Sequence, residues 1–298
     1  MTSAELSPRD GGGEHTSQQE EALDPEAITQ MVRAAFDDPG YQPPVLPSTA
    51  LELLEIARRP DVTFPVVARL IEREPILASQ LLRIAQSPVY RRAARIHSLE
   101  QAAALLGLSA LADLFLQASL TAKVFRAPSY DEPMNRLRLH SVATALLSRL
   151  VCQETTLPDD YAFLCGLLHD IGIAACLIAL ADHARATRGP ARPAEWHVVW
   201  PVIREMHERE SLNFGQLWQL PGDVCGVIGH HHTLMVGGVV HPMAAVFCVA
   251  DSIASDLGHG MPGETDCGQV ATAMKALDIR PSRARRLREN CEILLASA

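Results

Sequence analysis

The sequence has few aromatic residues, no CxxC pair and no excess of positive charge. Aromatics make up 5% of its 298 residues, whereas alanine and leucine dominate a composition that is 48% hydrophobic. Runs of β-branched residues are scarce, and this balance suits packed helices better than sheets. We therefore expect an all-α fold, with enough chain for one large or two modest domains.

The seven cysteines show no metal or disulfide pattern. They are odd in number, scattered along the chain and never spaced as CxxC. This spacing argues against both a disulfide framework and a zinc ribbon. We expect most of them to be reduced thiols in the core.

Positive charge is also lacking, since 26 basic residues face 35 acidic ones and the formal charge is -9. Such a chain has no general attraction for nucleic acid or for an anionic membrane surface, and we expect it to bind neither. Short arginine groups do occur, as in Arg91, Arg92 and Arg95. They are interpreted first as a solvated helix face or loop.

The N-terminal segment lacks the apolar region of a signal peptide, because residues 1–23 are polar and acidic. No uncharged apolar run approaches the roughly 18 residues that a membrane span needs. These two absences predict a cytoplasmic protein. The composition of residues 1–23 predicts a disordered tail.

Helix signals recur at short intervals after this tail. Starts are predicted at Asp24-Pro25, Thr63, Pro75 and Ser98, with one helix expected to end at Arg59. Ser98 and Gln101 have the spacing of a capping box, and Gly107 is placed to end the helix that follows. The predicted divisions are a tail (1–23), a helix and linker (24–42), a helical bundle (43–124), a second helical domain (125–258) and a helical tail (259–298).

The second half carries the residues with chemical potential. The segment DDYAFLCGLLHDIGIAACLIAL is predicted as one helix, which places Asp170 within an apolar stretch. A buried carboxylate requires a cation, a metal or a dense set of hydrogen bonds. The alternative is an aspartate that caps or supports the adjoining helix, and Gly172 beside it is expected to permit close packing or a bend.

Further histidines and aspartates surround this pair in the sequence. The set comprises His140, His169, Asp170, His207, His230, His231, His232 and Asp251. Neutral imidazoles and carboxylates are ligands for divalent transition metals. A single histidine on an apolar helix face is more often a core or capping residue, and this interpretation is given to His183, His197, His241 and His259. Trp218 is expected to be a core anchor, and Gly237-Gly238 an isolated loop pair.

Several segments together resemble a known family. LHSVATALLSRLV, FLCGLLHDIG, HERESLNFGQLWQLPGDVCGVIGHHH and FCVADSIA occur in the order found in HD-superfamily phosphohydrolases. With LPSTALELLEIARRPDVTF and IHSLEQAAALLGL before them, the region from about 43 to 255 resembles the HDOD domain of bacterial signalling proteins. The resemblance implies a helical bundle packed on an HD-like helical domain.

The resemblance also implies a ligand set. In HD phosphohydrolases the corresponding positions bind metal, and they fall on His140, His169, Asp170 and Asp251. The related HD-GYP enzymes, which cleave cyclic di-GMP, add positions that match His207, His231 and His232. Iron, manganese and zinc all suit such ligands. In an enzyme, Asp170 and His169 would be the candidate catalytic residues.

Three departures from the HD-GYP pattern affect substrate contacts. Ile173 stands where those enzymes have lysine, Thr233 stands where they have glutamate, and MVGGVVHPMAAVF replaces their GYP loop. HDOD domains are commonly regulatory modules without catalysis. These observations favour a regulatory protein that acts on a signalling protein partner.

The alternative is a metal-dependent phosphohydrolase acting on a nucleotide or cyclic dinucleotide. Arg91, Arg92 and Arg95 would then supply the missing phosphate contacts. The sequence leaves open whether the protein is an enzyme, and it does not indicate an oligomeric state.

Overall fold

A computed structural model describes residues 24–38, 41, 43–87, 96–157, 161–186, 194–263 and 268–295. The predicted N-terminal tail lies outside the described residues, and so do Arg91, Arg92, Arg95 and Cys267. In the part that is described, the fold is all-α apart from one short hairpin, as the composition predicted.

Six helices form the first half. They are α1 (Pro25–Asp37), α2 (Ser48–Ile56), α3 (Phe64–Ile71), α4 (Pro75–Ala85), α5 (Leu99–Leu106) and α6 (Leu108–Lys123). The Asp24 carboxylate accepts a hydrogen bond from the Ala27 amide, which confirms this cap. Thr63 precedes α3 as predicted, but its hydroxyl makes no capping bond. The prediction that a helix ends at Arg59 was wrong, because α2 ends at Ile56.

The capping box before α5 is confirmed. Ser98 Oγ accepts a hydrogen bond from the Gln101 amide, and the Gln101 side chain accepts one from the His97 amide. Gly107 ends α5 with φ of 87°, a conformation that favours glycine. The chain can therefore turn within one residue and enter α6.

The second half holds the longer helices and the hairpin. They are α7 (Asp131–Gln153), α8 (Ala162–Leu168), α9 (Ile171–Ala186), α10 (Trp196–Leu217), α11 (Gly222–Ile228), β1 (Met235–Val236), β2 (Val239–Val240), α12 (Pro242–Asp256), α13 (Val270–Ala276) and α14 (Pro281–Leu295). The two strands pair antiparallel, with Met235 opposite Val240. Gly237 and Gly238, both at positive φ, form the turn, so they belong to a hairpin and not to the isolated loop pair that was expected.

The prediction of one continuous helix around Asp170 was wrong, because the helix is interrupted between α8 and α9. The Gly166 carbonyl accepts a hydrogen bond from His169 Nδ1, and the His169 carbonyl accepts one from Ser211 Oγ. The side chains of His169 and Ser211 thus donate to carbonyls that would accept main-chain hydrogen bonds in a continuous helix. His169 and Asp170 occupy the interruption.

The segment Ala162–Ala186 is long and apolar enough to cross a membrane by length and composition alone, with a mean hydropathy of 2.1 in its best window. In this fold, 94% of that window is buried inside the protein. Residues of α9 pack on α1 and α10. The apolar stretch is therefore explained by its position in the core.

The hydrophobic core continues from the first half into the second. Leu53, Phe115, Leu164 and Trp218 all belong to one buried cluster. Trp218 is the core anchor that was predicted, and its indole N–H donates to the Pro44 carbonyl. The predicted domain boundaries stay predictions, because a shared core does not divide the chain.

A buried carboxylate links the two halves. Asp113 on α6 accepts a hydrogen bond from Arg58 at 3.0 Å and a second from Arg149 on α7. The two guanidinium groups also lie over the rings of Tyr161 and Phe163. Burial raises the pKa of Asp113, and the two arginines oppose that rise.

We predict that Asp113→Asn lowers the free energy of unfolding by about 3 kcal/mol, because breaking a buried ion pair leaves uncompensated charge. Denaturant titration followed by circular dichroism would measure it. Asp61→Asn is the matched control, since Asp61 pairs with Arg59 at the surface and the change should leave stability unaltered. Equal stability of both variants would contradict the structural role of Asp113.

Candidate metal centre

Seven potential ligands come together from different elements. His140 lies on α7, His169 and Asp170 at the α8–α9 interruption, His207 on α10, His231 and His232 just after α11, and Asp251 on α12. Their nearest nitrogen and oxygen atoms fall into two groups, and within each group these atoms lie within 4.8 Å of one another. All seven residues that the resemblance implied are therefore in one place.

The first group contains His140, His169 and Asp251. The Nε2 atoms of His140 and His169 are 3.1 Å apart. Asp251 Oδ1 lies 3.3 Å from His140 Nε2, and the Asp251 side chain keeps 24% of its surface exposed. This carboxylate is therefore the most exposed of the three ligands in the first group.

The second group contains His207, His231 and His232 with Asp170. His207 Nε2 lies 3.3 Å from His231 Nε2 and 3.1 Å from His232 Nε2. His232 has an exposed outer edge, whereas its Nε2 points to the other imidazoles. The group thus offers three ring nitrogens and one carboxylate oxygen.

Asp170 joins the two groups. Its Oδ2 lies 3.2 Å from the Nε2 atoms of both His140 and His169, and its Oδ1 lies 3.2 Å from His231 Nε2 and 3.5 Å from His207 Nε2. The side chain is fully buried. Among the described residues, neither oxygen has a hydrogen-bond partner of acceptable geometry. A buried carboxylate in this state requires a cation.

Backbone carbonyls fix the orientation of four of the rings. The Nδ1 atoms of His140, His169, His207 and His231 lie 2.8–3.1 Å from the carbonyls of His259, Gly166, Arg204 and Ile228, respectively. A carbonyl only accepts, so each Nδ1 must carry the proton. In the neutral ring, Nε2 then presents a lone pair to the cluster. Such tethering of the outer nitrogen is typical of metal-binding histidines.

The cluster also has a distinct charge pattern. Burial by itself would raise the pKa of Asp170, but the neighbouring imidazoles, His169 first, hold it well below its usual range. Burial lowers the pKa of His207, and it lowers that of His232 to about 3 with help from His231. The pKa of His231 is raised despite burial, because Asp170 faces it. Asp170 is therefore held in its ionised form, whereas burial favours the neutral rings of His207 and His232.

Two residues that support the cluster were missed in the sequence. Ser211 donates to the His169 carbonyl and accepts from the Gly172 amide, which holds the α8–α9 interruption against α10. Glu208 Oε1 accepts from the His232 amide at 2.9 Å and lies 3.9 Å from His231 Nδ1. The HERES stretch supplied the signal, because Glu208 and Ser211 follow His207 on the same helix.

Gly172 permits the close packing that was expected of it. A Cβ atom built there would overlap the His207 carbonyl and lie 2.7 Å from the Ser211 amide nitrogen. Helix α9 therefore approaches the backbone of α10 at the residue that carries His207.

The other residues noted in the sequence lie outside the cluster. His230 is not among the grouped ligands; its Nδ1 bonds to the Gly226 carbonyl at the surface. Ile173 is fully buried in the core, and Thr233 is exposed on the same side as His230. Neither Ile173 nor Thr233 offers a charged group to a phosphate at this centre.

The four histidines interpreted as ordinary have separate roles. His241 caps α12 by accepting from the Ala244 amide, and His197 pairs with Glu195 at the surface. His183 lies near the end of α9. His259 contributes its backbone carbonyl to His140, so it supports the cluster without offering its ring.

Little space remains beside the cluster. A cavity of about 10 Å³ is lined by His169, His231, His232 and Asp251 together with Leu234 and Phe247. This volume is about what one water molecule needs. Among the described residues, the space that remains beside the ligands is thus very small.

The donor set fits a divalent transition metal. Bonds of about 2.0–2.2 Å from one ion to nitrogen and oxygen ligands place neighbouring ligand atoms about 3.0–3.5 Å apart. The observed spacings of 3.1–3.5 Å match this range in both groups. A metal would also satisfy Asp170, whose two oxygens face different groups. The buried cluster could therefore hold one ion in each group, with Asp170 between them.

A comparison with known families matches a family model to this chain. The model of the HDOD domain matches residues 44–234, which is more than half of the chain. A protein of Treponema pallidum (strain Nichols), described only as uncharacterized, is 26% identical over 213 residues. That match covers 69% of this chain and 40% of the relative, so the chain spans well under half of the relative's length.

Solved structures share the fold. An HDOD domain protein of unknown function from Geobacter sulfurreducens has a TM-score of 0.62 at 20% identity, covering 92% of this chain and 94% of its own. A candidate metal-dependent phosphohydrolase from Shewanella amazonensis has a TM-score of 0.66 at 19% identity, covering 91% and 98%. A candidate signal transduction protein from Marinobacter aquaeolei has a TM-score of 0.64 at 17% identity, covering 93% and 66%. Identities this low show the fold alone.

Proposed function

Because the chain belongs to the HDOD family, we propose that it is a regulatory protein of a bacterial signalling pathway. It would act through contacts with a signalling protein in the cytoplasm, without nucleic acid or membrane as a partner. A divalent metal, iron, manganese or zinc, would occupy the cluster and tie its helices together.

The enclosure of the cluster is the observation that carries this proposal. A cavity of about 10 Å³ beside the ligands is far smaller than a nucleotide or a cyclic dinucleotide. Leu234 and Phe247 form part of its wall, and the ring of Phe247 lies parallel to that of His169. Catalysis on a phosphodiester would require this wall to open.

The residues at substrate-binding positions support the same conclusion. Ile173 is buried in the core and its side chain is an uncharged hydrocarbon, so it offers no group that would bind a phosphate. Thr233 lines a different cavity and is not among the grouped ligands. A metal held by these ligands would therefore have a structural role.

The metal-dependent phosphohydrolase remains the second candidate, because the ligand set is complete and Asp251 keeps one edge open. A metal bound there would polarise a phosphoryl oxygen and lower the pKa of a bound water. His169 and Asp170 would hold the metal, and Asp251 would face the entering substrate. Arg91, Arg92 and Arg95, proposed for phosphate contacts, lie outside the described residues.

Hydrolysis assays separate the two functions. We predict that protein reconstituted with manganese, iron or zinc hydrolyses neither cyclic di-GMP nor bis(p-nitrophenyl) phosphate faster than the metal alone. The variants His169→Ala and Asp170→Ala should give the same background rate. Metal-dependent turnover by the wild-type protein, lost in both variants, would refute the regulatory proposal and establish the phosphohydrolase.

A further inference from the structure

A second cavity, much larger than the one beside the cluster, lies between α8, α11, the hairpin and the start of α12. Its volume is about 780 Å³, within the range of small-molecule binding sites. Tyr161, Cys165, Val224, Val227 and Met243 are among the residues that line it. The walls are thus largely apolar, and the cavity is independent of the proposed function.

The cavity depends on two glycines of α11. Gly222 and Gly226 line it four residues apart, and a Cβ atom built on either meets nothing within 4 Å. Residues four apart lie on one face of a helix, so side chains at these positions would enter the open space. The absence of side chains on this face leaves room for a ligand.

The polar groups of the cavity define what it would accept. Asp223 is the charged residue among the described residues that line it, and no lysine or arginine is among them. His241 Nδ1 accepts a hydrogen bond from the Ala244 amide, so its Nε2 carries the proton and can donate. His230 uses Nδ1 as the donor to Gly226, which leaves its Nε2 as an acceptor.

Arg58 carries a positive charge close to the cavity, because its guanidinium lies over the ring of Tyr161, a residue of the cavity wall. Its charge is paired with buried Asp113, and Arg58 does not line the cavity. A carboxylate or phosphate head group would therefore meet Asp223 and, among the described residues that line the cavity, no lysine or arginine. Anionic ligands, including nucleotides and fatty acids, are disfavoured by this arrangement.

We propose that this cavity binds an apolar small molecule whose head group is uncharged or cationic and forms hydrogen bonds. The apolar body would lie along Tyr161, Val227 and Met243, and the head group would meet Asp223, His230 and His241. The cavity and the metal cluster share the segment after α11, because His230 and Thr233 face the cavity while His231 and His232 face the cluster.

Binding of Nile red, a neutral apolar dye, tests the site. The wild-type protein is expected to bind it with increased, blue-shifted fluorescence. Gly226→Trp should weaken binding at least tenfold by filling the cavity, while circular dichroism shows an intact fold. Ala271→Trp, at an exposed position of α13 outside the cavity, should bind as the wild type does.

A third variant separates the cavity from the exposed hairpin. Val239 is 69% exposed and does not line the cavity. Val239→Ser should leave dye binding unchanged. Equal binding by the wild type and Gly226→Trp, or loss of binding in Val239→Ser or Ala271→Trp, would place the dye elsewhere and overturn the proposal.

Head-group selectivity is tested by competition below the critical micelle concentration. Dodecylamine and dodecanol should displace Nile red at concentrations at least tenfold lower than dodecanoate. Asp223→Asn should narrow the difference between the amine and the carboxylate. Displacement by dodecanoate as effective as by dodecylamine would overturn the assigned ligand class. These measurements do not depend on hydrolysis or metal, so their outcome is independent of whether the proposed function is correct.

Discussion

Gly172→Ala is expected to destabilise the protein by about 3 kcal/mol or more, the upper range for an overpacked core. The added Cβ would overlap the backbone carbonyl of His207, and backbone atoms cannot rotate away as a flexible side chain can. Helix α10 would have to move outward, which would also displace His207 from the cluster. The free energy of unfolding, measured by chemical denaturation, and the affinity for metal should therefore both decrease.

Gly226→Ala is the matched control for this prediction. It makes the same substitution in a helix where a Cβ meets nothing within 4 Å, so it should stabilise α11 by roughly 0.5–1 kcal/mol. Wild-type stability of Gly172→Ala would show that α9 and α10 do not approach as closely as described.

Asp170→Asn is expected to reduce bound metal to background. Asp170 is the only potential ligand among the described residues whose oxygens face both groups, so neutralising it weakens both positions at once. Asp251→Asn affects one group and should leave about half of the wild-type metal. Elemental analysis of protein reconstituted and then freed of excess metal would measure both.

Stability provides a second measure of the same change. Free metal at a hundred times its Kd stabilises the folded state by about 2.7 kcal/mol. Chelation should therefore lower the Tm of the wild-type protein and leave that of Asp170→Asn unchanged. Asp256→Asn is the control, since Asp256 lies on the same helix as Asp251 but pairs with Arg288 at the surface. Wild-type metal content in Asp170→Asn would contradict the shared carboxylate.

The helices could be predicted from the sequence because their signals are local. Asp24, Ser98 and Gly107 act on backbone groups within four residues of themselves, and each was placed correctly. The interruption between α8 and α9 could not be found in this way. It depends on Ser211, some 40 residues further along the chain, which takes a carbonyl from the helix.

The resemblance to the family indicated which residues form the metal centre, but it did not indicate how these residues are arranged. Local sequence does not indicate that Asp170 places one oxygen against His140 and the other against His231. It also does not distinguish His230 from its neighbour His231, which face opposite directions at the end of α11. These distinctions arise only when α7, α10 and α11 pack around the interruption.

The hairpin was missed although its signal is local. Two glycines between Val236 and Val239 are typical of a two-residue turn between strands. The strands are only two residues long, so alternation of polar and apolar residues could not reveal them. The large cavity was missed for another reason, because open space beside Gly226 exists only once α8 and α12 are in place.

The burial of the Ala162–Ala186 segment has a consequence for biosynthesis. Helix α9 leaves the ribosome before α10, which covers it in the finished fold. Roughly 30 further residues, or about 2–6 s of translation, separate the completion of the two helices. During that interval the nascent chain displays a stretch as apolar as a membrane span. Its length and apolar character are what a ribosome-bound chaperone or a targeting factor would recognise.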